Sequence, residues 1–248
     1  MVRNSWIVVL LLSVISGNLF GQSRPEINIR YSKLYATYNF VKKLSKTYPD
    51  NVYKVKYSSS EWNQPIYNEM IGKMDQLYLH ESYFFQEYPY GQKTPGMTMS
   101  LLEKLLISTT SVKEFKIRAF GIIPNADLFE FSRILEAFEP IYENLIYLPH
   151  KDAFDRKVEE LNTFVKTSEL ETFFAEGLSF YNATWDLSIP FEIAVVPVSG
   201  TKSFSATAFL NNAVSEIPLD FQQNDILFGV LMHEIFHLLY DSQNLEIK

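Results

Sequence analysis

The chain reads as an α+β protein: a mainly helical stretch, then a small hairpin or sheet, then one apolar helix near its end. Three observations carry that expectation. Between 31 and 181 apolar residues recur at three- and four-residue spacing, the signature of helices with one buried face. Between 191 and 218 the pattern changes to β-branched and alternating residues. From about 221 an apolar run returns, interrupted by His233, Glu234 and His237. The expected organisation is a leader over 1–21, a mainly helical region over 22–185, and a strand–helix unit over 186–248.

Composition bounds the function classes. The net charge is −7, so the basic surface that nucleic acid requires is absent and no nucleic-acid partner is expected. With 20 Phe, 15 Tyr and 3 Trp, the chain has ample apolar material for a core. It contains no cysteine, so neither a disulfide nor an acylated cysteine is available. Arg3 precedes an apolar run over 6–16, and Gly17-Asn18-Leu19-Phe20-Gly21 leads to a cut before Gln22 or Ser23. That is the grammar of an export signal. The run is too short to span a bilayer comfortably, and no second run reaches spanning length. The expectation is a periplasmic or extracellular, bacterial-type protein with no transmembrane segment after signal removal.

Taken in order, 27–30 alternates briefly and predicts a strand. Helical spacing follows over 31–46, where Lys42, Lys43 and Lys46 read as a solvated end complementing the helix dipole. The polar stretch 48–65 predicts a loop, 66–84 a helix containing His80, and 88–96 a break rich in Pro and Gly. Helices are expected over 97–109, 111–120 and 126–147, the last kinked or split at Pro140. His150 sits in a loop, and helices over 151–165 and 168–181 complete the region. Strands are expected over 191–198 and 203–210, with 213–218 extending or following the second. Asp220 and Gln223 have capping-box spacing and predict a helix start near 221.

His233-Glu234-Ile235-Phe236-His237 has the His-Glu-x-x-His pattern. On a helix, residues four apart share one face, about 40° apart and about 6 Å along the axis. Two imidazoles so placed suit one metal ion, and zinc favours neutral imidazole nitrogen. Glu234 lies where a carboxylate can take a proton from metal-bound water. In an all-round apolar helix these three side chains would be buried polar groups without partners unless a metal supplied them.

The segment resembles the active-site helix of the zincin metallopeptidases, whose extended signature asks for uncharged residues around the two histidines. Val230, Leu231, Ile235, Phe236, Leu238 and Leu239 fit it. The resemblance covers about 25 residues near 220–244. It implies His233 and His237 as zinc ligands, Glu234 as general base, a peptide or protein substrate, and the strand–helix order of a zincin N-terminal lobe. By the same likeness, an edge strand within 203–217 pairs with extended substrate backbone. In the gluzincin (thermolysin-like) branch the third ligand is a Glu on a later helix. Only 11 residues follow His237 here, and no third histidine follows as in metzincins. The resemblance therefore implies a chain lacking the C-terminal lobe that supplies this ligand. Asp241 lies about 12 Å along the axis from His233, out of reach of a shared ion on a straight helix. It serves at most as a hydrogen-bond partner of His237, and Glu246 and His150 are more remote possibilities. The expected function is an exported zinc peptidase. The alternatives are a non-catalytic cell-envelope binding protein with a vestigial motif, and a zinc hydrolase acting on a non-peptide bond.

Overall fold

The structure, a computed structural model, describes residues 26–83, 97–198, 200 and 204–243. The leader over 1–21, the break over 88–96 and Glu246 lie outside the described residues, as do the side chains of His80 and Asp241.

A four-stranded mixed sheet stands between two helical layers. Strand β1 (Ile27–Tyr31) runs parallel to β2 (Phe191–Val198), which runs parallel to β4 (Asn212–Pro218). Strand β3 (Ser205–Phe209) forms an antiparallel hairpin with β4, and the order is β1-β2-β4-β3. The turn at Leu210 adopts φ 55°, a left-handed conformation that lets two residues reverse the chain. Strand β2 is apolar almost throughout because both of its faces are covered. Phe191, Ile193 and Val195 face one helical layer, and Ala194, Val196 and Val198 face the other. The sheet thus takes β1 from the 22–185 region and the remaining strands from 186–248. The two regions share one architecture.

The first layer contains α1 (Lys33–Leu44), α2 (Val52–Ser58), α3 (Pro65–Tyr83), α4 (Met97–Ser108), α5 (Val112–Ala119) and α6 (Asn125–Tyr142). Ser32 caps α1, its Oγ accepting from the Tyr35 N–H at 3.2 Å, and Asn51 caps α2 through the Tyr53 and Lys54 N–H groups. Helix α2 falls in the stretch expected to be a loop. Tyr53 and Tyr57 bury there against Phe40, which stabilises a turn whose own sequence is too polar and short to announce it.

Pro140 does not split α6. The helix runs on to Tyr142 and then widens into a π segment over Glu143–Tyr147. Proline lacks the N–H that would bond one turn back, and the register relaxes just beyond it. Of the lysines expected to be solvated, Lys46 is exposed but Lys42 and Lys43 are not free. Lys42 pairs with Glu103 at 3.4 Å and lies over the Tyr78 ring, and Lys43 pairs with Glu216 of β4. Long stems carry these cations off the helix end to acceptors on other elements.

The second layer contains α7 (Lys151–Thr167), α8 (Leu170–Phe180) and α9 (Asn224–Gln243). Helix α9 begins at Asn224, not near 221. Leu219 and Asp220 form a turn in which the Phe221 N–H donates to Pro218 O at 3.1 Å. The start is pinned from α7: Lys157, only 2% exposed, donates to Phe221 O, and Asn224 Nδ2 donates to Glu160 at 2.8 Å. These long-range bonds override the local capping signal.

Candidate metal centre

Helix α9 buries one stripe: Leu227, Phe228, Leu231, Met232, Ile235 and Leu239 pack against the sheet and α8. At 100° per residue, His233 and His237 fall on the opposite side. Both are exposed, and Glu234 is half-buried at the flank. This corrects the expectation of buried polar groups. The helix has apolar residues on both sides, but the described residues cover only one. Ile226, Gly229 and Val230 continue the uncovered side, with Ile226 46% exposed.

The two imidazoles converge. His233 Nε2 and His237 Nε2 lie 3.1 Å apart, with ring centroids at 4.6 Å and planes at 87°. At this separation one ring can donate to the other. Two nitrogens bound to one tetrahedral zinc at ordinary bond lengths stand about 3.3 Å apart. The pair is therefore already close to the separation of two ligands on one ion. Glu234, half-buried, has no hydrogen-bond or ion-pair partner among the described residues.

A shallow depression of about 230 Å³ lies over the pair, lined by Tyr181, Phe236, His233 and His237. Its wall is fixed by close packing. The Phe236 ring sits against Gly177, where an added Cβ would come within 2.4 Å of it, and contacts Phe173 and Tyr181 with centroids at 5.3 and 5.9 Å. Glycine at 177 lets α8 and α9 approach closely enough to hold Phe236 beside the histidines.

Of the other residues weighed from sequence, only His150 has a described side chain, and it does not join this site. His150 lies against Lys56, Nε2 to Nζ at 3.2 Å, in the first layer's surroundings. Burial and the neighbouring ammonium hold its pKa below the ordinary histidine range. Among the described residues no group of three or more His, Cys, Asp or Glu stands close enough to share a metal ion. Two donors are present, and zinc sites of this chemistry use three protein ligands. The fit is therefore partial: the pair suits the ion, and no third protein donor stands beside it among the described residues. Sequence reasoning missed Tyr181 and Gly177, whose roles arise only from the contact of α8 with α9. Strand β3 ends the sheet, as expected of an edge strand, and packs beside α9.

Compared with known protein families, with curated proteins and with solved structures, the chain matches none. The functional reading rests on the residues themselves.

Proposed function

We propose that the chain is an exported zinc-dependent peptidase, with His233 and His237 as metal ligands and Glu234 as general base. The observation that supports it is the 3.1 Å convergence of the two Nε2 atoms on the open face of α9, with an unpaired carboxylate between them in sequence. A bound zinc ion would supply Lewis acidity toward a peptide carbonyl and its attacking water. This chain's residues would do the rest. The two imidazoles hold the ion, Glu234 takes the water proton at its carboxylate and passes it to the leaving amine, and Phe236 keeps the histidine face in place. The free edge of β3 offers backbone N–H and C=O groups to an extended substrate.

Elemental analysis of the purified chain tests the metal. About one zinc per chain is expected, lost in His233→Ala and retained in Glu234→Gln. Hydrolysis of a quenched-fluorescent peptide library should vanish in both variants. Turnover surviving in Glu234→Gln would sink the mechanism, and absence of zinc from the unmodified chain would leave the non-catalytic envelope protein as the better reading.

A further inference from the structure

One turn before His233, the seam between α8 and α9 opens into a second hollow of about 380 Å³. Its floor is apolar: Leu170, Phe228 and Met232 are buried there, and Phe164 stacks on Phe228 at 5.0 Å with planes at 11°. Phe173 flanks it at 47% exposure, an aromatic ring left half open to water. Gly229 makes the notch. A Cβ there would meet nothing within 4 Å, although a mid-helix glycine costs about 1 kcal/mol relative to alanine.

Three exposed carboxylates, Glu169, Glu176 and Asp225, also line this hollow. None has an ion-pair or hydrogen-bond partner among the described residues. Glu169 and Asp225 stand at the starts of α8 and α9, where the helix dipole favours a negative charge. Glu176 lies beyond the first turn of α8 and has no such role. An aromatic and aliphatic floor under three unpaired carboxylates matches a side chain with an apolar stem and a cationic head.

We infer that this hollow is a binding subsite for a lysine or arginine of an extended peptide. The stem lies against Phe173 and the notch at Gly229, above the Phe228 and Met232 floor, and the cation sits in the field of Glu169, Glu176 and Asp225, which are spread along the hollow. As the substrate preference of the peptidase it rests on the reading above; as a binding site it stands alone. The hollow and the histidine depression share a wall, the Phe173 and Phe236 rings at 5.3 Å. Gly229 and His233 are about 6 Å apart along the axis, the length of about two residues of extended chain. The basic residue therefore falls about two positions from the bond to be cut.

Fluorescence anisotropy tests this on the full chain carrying Glu234→Gln, with chelator present. The probes are dye-labelled eight-residue alanine-rich peptides containing one Arg, one norleucine or one Glu. The Arg peptide should bind at least about tenfold more tightly than the Glu peptide, with norleucine between them. The triple variant Glu169→Gln, Glu176→Gln, Asp225→Asn should bring Arg down to the norleucine level. Gly229→Phe, which fills the notch, should weaken both. Equal binding of Arg and Glu peptides, or Arg binding unchanged in both the triple and Gly229→Phe variants, would overturn the subsite. Because no metal or turnover enters the measurement, a failed peptidase reading with this binding pattern intact remains distinguishable from a failed subsite.

Discussion

The two helical layers flanking the sheet use their polar groups in opposite ways. In the first layer, carboxylates tie elements together: Glu103 to Lys42, Glu216 to Lys43 and Asn39, Glu143 to Lys33 at 2.8 Å. Its core is a continuous aromatic block in which Tyr38, Phe40, Phe115, Phe131, Phe138 and Tyr142 are fully buried. In the second layer, Glu160 helps to anchor the start of α9, but Glu169, Glu176, Asp225 and Glu234 pair with nothing among the described residues. Open rings occur in both layers, Phe173 at 47% here and Phe129 at 63% in the first, but only in the second do they stand beside these unpaired carboxylates. Satisfied charges and closed rings favour stability; unsatisfied charges beside open rings are what a binding surface needs. Under the function proposed above, the first layer serves as scaffold and the second carries recognition.

The strongest way to break this contrast is to truncate a ring in each layer. Phe138→Ala removes a fully buried ring in contact with Phe40, Tyr57 and Tyr67, and should cost about 3–5 kcal/mol in urea unfolding. Phe173→Ala should cost under about 1 kcal/mol, since the ring is 47% exposed. Similar losses from both would erase the distinction between the layers.

Two glycines within the second layer sharpen it. Gly177→Ala drives a methyl into the Phe236 ring, at 2.4 Å from Cε1, and should destabilise by about 1–3 kcal/mol while lowering zinc content. Gly229→Ala meets open space and should stabilise by about 0.5–1 kcal/mol through helix propensity, with zinc content unchanged. Thermal melts with parallel metal analysis check both. A neutral Gly177→Ala would mean that Phe236 moves freely and does not fix the histidine face.

Much of this architecture was legible in the sequence. The α+β class and the strand over 191–198 follow from periodicities long enough to outvote local noise. Strand β3 and the last helix were visible to within a few residues, because hairpin alternation and an apolar run are strong patterns. What was not legible depends on contacts distant in the chain. The start of α9 is set by Lys157 and Glu160, some 64 residues earlier, so the Asp220 and Gln223 spacing misled. Lys42 and Lys43 looked solvated because their partners lie on α4 and β4. The His-Glu-x-x-His pattern named the residues of the proposed site, but an all-apolar helix does not say which side stays uncovered. The acidic hollow exists only where 164–176 meets 225–232, and neither segment suggests it alone.

The smallest expected effect separates the histidines of the two layers. His150 rests against Lys56, and its pKa is lowered first by burial and then by that ammonium. A lowered folded-state pKa means that, as pH falls through the unfolded value near 6.5, the unfolded chain takes the proton before the folded chain does. His150 therefore weakens the fold as pH drops from that value through its folded pKa, and contributes no further change below. Because the group is only part-buried, the effect on stability is small, and NMR of the ring protons is the better readout. Lys56→Met should raise the His150 pKa part of the way back, leaving the share due to burial. Zinc added to the unmodified chain should perturb the rings of His233 and His237 and leave that of His150 unmoved. A His150 signal that follows zinc would place this residue at the metal and dissolve the boundary between scaffold and site.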